Sequence, residues 1–190
     1  TEAKKIKPID DKPYELPVFK IDSATYSGYI KDYTPRVGVK TLSISIDDII
    51  TGNQNNFIIR IAENGFFSAR LPINYPHVCF VRSSIYNGSI FLEPGKEVFQ
   101  LLGTSNPLFM GESAKINSDM FELMKIRSFD YRDMQSKILD MSPAQYKTYC
   151  LNWGEKDMNA LDSIMATNTF STKAYQVMKL ELKYGTEVNI

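Results

Sequence analysis

The sequence predicts an α+β protein: an antiparallel β-sandwich over residues 18–111, then a packed α-helical segment over 112–190, with an extended arm at 1–17. Three observations predict it. In the first half, apolar residues tend to recur every second position, as at Leu42, Ile44 and Ile46, which puts them on one face of a strand. Beyond Ser113 they recur every third or fourth, as at Ile116, Met120, Leu123 and Met124, which is the period of a helix. Between the two regimes stands Phe91-Leu92-Glu93-Pro94-Gly95-Lys96-Glu97-Val98-Phe99. Its Glu93-Pro94-Gly95-Lys96 piece reads as a type II turn, because proline presets φ at the second position and glycine accepts a positive φ at the third. The stretch therefore reads as the last hairpin of the β-domain.

Composition sets the bounds. The 190 residues suit one large domain or two small ones, and 43% hydrophobic with 23% charged residues is enough to build a core. Lys+Arg and Asp+Glu both number 22, which argues against nucleic acid as the main partner. No apolar run is long enough for a transmembrane helix. Thr1-Glu2-Ala3-Lys4-Lys5 opens the chain with no apolar signal core behind it, so the protein is cytosolic or its leader has been removed; both remain open.

The elements follow in order. Residues 1–17 carry Pro8, Pro13 and Pro17 among many charges and read as an arm or linker. Val18–Tyr33 contains strand material, including Ser27-Gly28-Tyr29-Ile30, and Thr34-Pro35-Arg36 breaks it. Thr41–Ile46 alternates as a half-buried strand. Thr51-Gly52-Asn53-Gln54-Asn55-Asn56 reads as a polar loop. Phe57–Ile73 reads as a hairpin whose register can be argued. A two-residue Asn64-Gly65 turn would set Ile61 against Ser68 and mix core with solvent faces. A three-residue Glu63-Asn64-Gly65 loop instead sets Ile61 against Phe67, Ile59 against Ala69, Phe57 against Leu71 and Arg60 against Ser68. That loop predicts a type I turn with Gly65 in the left-handed region.

Tyr75-Pro76 ends that hairpin. His77–Arg82 is apolar on both faces and reads as a central strand. Asn87-Gly88 turns the chain into Ser89–Leu92, and Glu97–Leu102 follows the Pro-Gly turn. In the second half, Tyr131, Met134, Ile138 and Met141 mark a helical stripe. Ser142-Pro143-Ala144-Gln145 is a helix start with a capping serine, proline at the first helical position and a glutamine to close a capping box. Tyr146, Tyr149, Cys150 and Trp153 then share a face, Gly154 breaks or kinks the element, and Met158, Leu161 and Met165 continue the period. Ser171 caps a final helix carrying Tyr175, Met178 and Leu182, and Gly185 stops it.

Little here marks chemistry. Gly103-Thr104-Ser105 and Asn87-Gly88-Ser89 lack the glycines and Lys-Ser/Thr of a phosphate loop. Asp47-Asp48 lacks the alternating oxygen ligands of a calcium loop and reads as a solvated strand end. Glu93 and Glu97 flank a turn, but paired carboxylates need a cleft that separates their pKa values. His77, the single histidine, has no serine in a nucleophile-elbow context and reads as a satisfied boundary residue. Cys79 and Cys150 read as small buried hydrophobes, and the chain has too few Cys and His for a usual structural zinc site. No catalytic, cofactor-binding or metal-binding residue is assigned, and no cofactor is expected. The aromatics and methionines read mainly as core, with a sugar-stacking platform or an adaptable interface as the other use.

The order of motifs carries a resemblance. Asn64-Gly65-Phe66-Phe67, Leu71-Pro72-Ile73-Asn74-Tyr75-Pro76, Phe91-Leu92-Glu93-Pro94-Gly95-Lys96 and Phe109-Met110-Gly111-Glu112-Ser113-Ala114-Lys115-Ile116-Asn117 precede a helical tail. Over about residues 24–190 this resembles the N-terminal, non-catalytic region of envelope thioredoxin-like thiol:disulfide oxidoreductases (thioredoxin and peroxidase-like families) of Gram-negative anaerobes. The Cys-x-x-Cys motif of that family's redox domain is missing from this chain, so no catalytic residue carries over. The resemblance implies a β-sandwich and helical segment serving as an accessory module. It implies a location in the cell envelope, periplasmic or lipid-anchored at the outer membrane, and a removed leader. It implies a protein partner, an attached thioredoxin-like domain or a homodimer, reached through edge strands and Met-rich helix faces. A second reading is a stand-alone domain binding a glycan or peptide through Tyr86 or Trp153; burial of both would remove its motive. A hydrolase using Glu93 or Glu97 is a third, and needs a concave pocket holding both.

Overall fold

A computed structural model describes residues 19–103, 106–128, 130–167 and 169–188, so the expected arm at 1–17 and the Thr104-Ser105 part of one glycine turn lie outside the described residues. The strands are β1 (Ser23–Ile30), β2 (Thr41–Asp48), β3 (Asn53–Arg60), β4 (Phe66–Pro72), β5 (His77–Arg82), β6 (Asn87–Leu92), β7 (Glu97–Leu102) and β8 (Leu108–Met110). The helices are α1 (Ala114–Leu123), α2 (Tyr131–Ile138), α3 (Pro143–Thr167) and α4 (Thr172–Val188). The chain is α+β, a β-sandwich followed by a helical segment, with sheets ordered β4-β1-β7-β8 and β3-β2-β5-β6. The strands end near the expected 111/112 boundary, while the two compact units divide later, between Ser118 and Asp119 within α1.

The first unit owes its core to period-two patterning. Leu42, Ile44 and Ile46 of β2 are buried while Ser43 and Ser45 between them are not. Ala24, Tyr26, Phe67, Leu71, Val98 and Leu102 supply buried side chains from the other sheet. Each buried Val, Leu, Ile or Phe among these contributes about 1.5–3 kcal/mol. One pairing in the sandwich is parallel: β1 lies between antiparallel β4 and parallel β7. Gly28 of β1 makes this possible, because a Cβ there would collide with the Gln100 carbonyl and lie 2.6 Å from Phe67 Cζ.

The expected Phe57–Ile73 hairpin exists only at its tip. Gly65 has φ 81°, its N–H donates to Ala62 O (2.9 Å), and Ile61 bridges Phe67. Beyond the tip the arms diverge. Ile59 pairs with Leu42 and Phe57 with Ile44, whereas Ala69 pairs with Tyr26 and Leu71 with Ala24. The three-residue loop is therefore an arch between sheets. The Pro-Gly turn does the same: Lys96 N–H reaches Glu93 O (3.1 Å) with Gly95 at φ 77°, yet β6 and β7 belong to different sheets. Short-range turn chemistry is the same for a hairpin and an arch, and only long-range pairing separates them.

Two further expectations change. Asn53-Gln54-Asn55-Asn56, expected as loop, is the first half of β3 and pairs with Ile46–Asp48 and Ser45 of β2. β5 is central in its sheet, as expected, but only Cys79 and Val81 are buried; Phe80 faces outward with the Arg82 guanidinium 5.1 Å from its ring centroid.

The second unit is helical. Ser142 N–H donates to Gln145 Oε1 (2.8 Å) and Gln145 N–H to Ser142 Oγ (3.4 Å), the reciprocal box expected at the start of α3. Ser171 Oγ accepts from Ala174 N–H (3.3 Å) at the start of α4, and Asp119 Oδ2 accepts the Ser171 N–H (2.8 Å). Gly154 does not break α3, and Gly185 does not stop α4. Gly154 is a close-approach position instead: a Cβ there would collide with the Thr186 hydroxyl of α4. Met120, Met134 and Met178 are buried and fill core space.

Candidate functional site

The β2–β3 hairpin of the first unit ends in a hydrogen-bonded turn. Its turn is built by Asp48. The carboxylate accepts Ile50 N–H (2.9 Å) and Thr51 N–H (3.4 Å) on Oδ1 and the Thr51 hydroxyl (2.8 Å) on Oδ2. Gly52, at φ 70°, closes the turn onto Asp48 O (2.8 Å). Donation from the Ile50 amide, then the Thr51 hydroxyl, holds the Asp48 carboxyl below its ordinary range. Asp47 accepts the Gln54 amide (2.8 Å). The acidic pair thus organises a turn. A fixed turn keeps Ile49 and Ile50 in solvent, 63% and 72% exposed. Such side chains lose little further entropy when they meet a partner.

Below the tip, β3 is an edge strand. In an antiparallel ladder, alternate residues turn their N–H and C=O toward the same neighbour. Ile61 N–H donates to Lys40 O (2.9 Å), which continues the β2–β3 register. Ile59, Phe57, Asn55 and Asn53 therefore face β2, and Ile58, Asn56 and Gln54 face away. No strand among the described residues pairs with that outer side of β3 over Gln54–Ile58. Asn53–Ile59 carries no charge and no proline, the usual guards of an open edge, and Ile58 is 73% exposed.

The opposite edge of the same sheet is closed. Asn117 of α1 accepts Phe91 N–H on Oδ1 (2.7 Å) and donates from Nδ2 to Phe91 O (3.0 Å) and Ser113 O (3.0 Å). Its side-chain amide copies one step of strand pairing along β6. One edge is clamped by a buried amide; the other has no strand partner among the described residues.

Two concavities lie elsewhere. A shallow groove of about 580 Å³ includes Lys40, Ser43, Ile58, Arg82 and Asn87 on the outer face beside β3. In the helical unit, a cleft of about 270 Å³ is lined by Arg127, Cys150, Trp153, Asp157, Gly185 and Thr186, among others. Buried Asp157 accepts the Ser128 N–H (3.0 Å) and hydroxyl (2.5 Å), and Arg127 lies 3.8 Å from the Glu181 carboxylate. Trp153 is half-buried and packs against Tyr149 with ring centroids 5.3 Å apart.

The residues weighed from the sequence fall as follows. Glu93 is buried and paired with Lys96 (2.9 Å), Glu97 accepts from Ser27 Oγ (3.3 Å), and neither carboxylate lines the groove or the cleft. His77 stacks on Tyr75 with centroids 4.7 Å apart, and its Nδ1 lies 3.2 Å from Tyr75 O. Its Nε2 is 3.4 Å from Cys79 Sγ. Burial pushes the Cys79 thiol up to about 12, reinforced by Asp47, and pushes the His77 imidazole down. A neutral imidazole beside a buried thiol is no thiolate–imidazolium nucleophile. Cys79 and Cys150 are both buried, and no disulfide joins them. Tyr86 is half-buried with its hydroxyl enclosed near Gln100.

Sequence reasoning passed over Asn117, Ile49, Ile50 and Ile58. Asn117 stood inside a quoted motif without a role. Ile49-Ile50 between Asp48 and Thr51-Gly52 is a two-residue apolar step inside turn chemistry, a signal that was there to read.

No protein-family model matches the chain, and no curated protein matches it. A solved structure of a DUF3823 family protein from Parabacteroides merdae is similar over 48% of this chain and 49% of that chain, at 15% identity and a TM-score of 0.31. The similarity thus spans about half the length of either chain.

Proposed function

We propose that this chain is a non-catalytic accessory module of the kind that accompanies an envelope thioredoxin-like disulfide oxidoreductase, and that it docks on protein through its β2–β3 hairpin. The contrast between the two edges of one sheet supports this reading: Asn117 clamps β6, while among the described residues β3 has no outer strand partner and Ile49 and Ile50 stay exposed. An apolar tip on a turn fixed by Asp48 offers anchors, and an open edge offers backbone partners. Among the described residues, no helix is long and apolar enough to cross a membrane.

Titration calorimetry against a thioredoxin-like domain encoded in the same genome tests it. Ile50→Asp should weaken binding by about tenfold or more, as for an anchor residue, and Glu63→Ala, in the turn at the opposite end of β3, should not. Unchanged affinity in Ile50→Asp, or insulin reduction by the chain alone at a rate comparable with thioredoxin, overturns the proposal.

Trp153 favours a second reading, a ligand-binding domain for a glycan or peptide. It stays half-exposed in the helical unit's cleft, whereas Tyr86 turns its hydroxyl inward. It is also the single tryptophan, so its fluorescence reports the cleft directly. A saturable emission shift with oligosaccharides or peptides, lost in Arg127→Ala, would support this reading.

A further inference from the structure

The outer edge of β3, unpaired among the described residues over Gln54–Ile58, has chemistry suited to one particular occupant. We infer that it pairs with the same edge of a second copy of this chain, antiparallel across a twofold axis. The inference rests on the reading of the hairpin as a docking element and names the partner of its edge.

In a homotypic antiparallel pair, the side chain on the axis meets its own copy and its neighbours meet each other across it. Charged strands resist this, since like charges directly opposite one another repel. Asn53-Gln54-Asn55-Asn56-Phe57-Ile58-Ile59 carries no charge. Its polar members are primary amides, which both donate and accept and are therefore complementary to themselves.

The register follows from which residues face outward. Gln54, Asn56 and Ile58 direct their backbone groups away from β2, as derived from the Ile61–Lys40 bond and the β2–β3 pairing. The pairing that uses all three sets Asn56 against Asn56 of the second copy, and Gln54 against its Ile58. The run is limited at its far end by the Ile61–Phe67 bridge, which occupies the outer side near Arg60. The Asn56 side chain is prepared for the axis. Its Oδ1 accepts the Ser45 hydroxyl (2.6 Å), which orients the amide. The carbonyl keeps a second lone pair, so two Asn56 amides can bond reciprocally. Ile58 gains cover from the apposed strand. The other edge of this sheet cannot compete, because Asn117 already occupies Phe91 of β6.

Charge complementation across the axis tests this. The full chain is compared with Asn56→Lys, Asn56→Asp and their equimolar mixture by sedimentation equilibrium over micromolar to millimolar concentration. Asn56 is exposed, so both variants should fold, and circular dichroism checks it. The expected result is a wild-type dimer, at least about tenfold weaker self-association for each variant alone, and a dimer restored in the mixture. Asn56→Pro, which removes an outward N–H and no β2 bond, should also be monomeric. A wild type that stays monomeric throughout overturns the inference. So does a dimer that Asn56→Lys leaves intact, and so does a mixture that stays monomeric. Ile50→Asp separates the two readings. It should leave the self-pair intact while weakening the thioredoxin-like partner. A monomeric wild type that still loses that partner on Ile50→Asp overturns self-pairing alone.

Discussion

Replacing Asn117 with alanine removes three hydrogen bonds at once, to Phe91 N–H, Phe91 O and Ser113 O. The site is buried, with Asn117 2% exposed and Phe91 also 2% exposed, so water does not simply take over. Losing the partner of a buried donor or acceptor costs about 1–3 kcal/mol. Phe91 loses one of each, while Ser113 O keeps its bond from the Asn117 N–H (3.2 Å). The expected loss is therefore about 2–6 kcal/mol. Against an ordinary domain stability of about 5–15 kcal/mol, the variant should still fold. Urea denaturation should show a lower midpoint at unchanged slope, and exchange of the Phe91 amide should speed up beyond the global change. Asn117→Asp sharpens the test. Its carboxylate keeps an acceptor for Phe91 N–H but turns an oxygen toward Phe91 O and Ser113 O. At neutral pH it should lose at least as much as alanine, and it should recover part of that on acidification, when the carboxyl regains a proton to donate. A loss under about 1 kcal/mol in Asn117→Ala, with unchanged Phe91 exchange, would refute the account of the clamped edge.

Four other outcomes are expected. Gly28→Ala should destabilise the sandwich by about 3 kcal/mol or more, because its methyl collides with the Gln100 carbonyl and nothing there is a flexible chain end; thermal unfolding reads this. Gly154→Ala should cost about 1–3 kcal/mol through Thr186, and Thr186→Ala in the same chain should return part of it. Cys79 should not react with a disulfide reagent at pH 8 in the folded protein, since its thiol is buried and pushed up to about 12; labelling should track global unfolding. The Asp48 turn should persist at neutral pH and loosen in acid. Its folded pKa lies below the ordinary 3.8, so its stabilisation is present above that value and is lost as pH falls through the folded one. The Ile50 and Thr51 amide resonances should shift in that window and lose the transition in Asp48→Asn.

Local physics was legible from the sequence where one or two residues suffice to set a conformation. Period two buried Leu42, Ile44 and Ile46, period 3.6 gave the helices, and Ser142 with Gln145 began α3 as expected. Gly65 and Gly95 adopt the positive φ their turns require. The candidate site was far less legible. Asp47-Asp48 looked like a solvated strand end, yet Asp48 shapes the turn that presents Ile49 and Ile50. Nothing near Asn117 in sequence says that its amide will meet Phe91, 26 residues earlier.

The sequence by itself determined the class, the caps at Ser142 and Ser171 and the positive φ of Gly65 and Gly95, because each depends on neighbours a few residues apart. The turn expected at Asn87-Gly88 lies instead at residues 83–86, and Asn87-Gly88 opens β6. Only the tertiary structure decided which strand pairs with which. The turns at Glu63-Asn64-Gly65 and at Pro94-Gly95 look like hairpin loops and serve as arches, because β1 claims both β4 and β7, and β2 claims β3. The structure likewise decided that Gly154 and Gly185 stay inside helices, since the tertiary packing of α3 and α4 outweighs a helix-propensity cost of about 1 kcal/mol each. Which sheet edge is clamped and which is left open follows from those same long-range choices, and no short window of residues contains them.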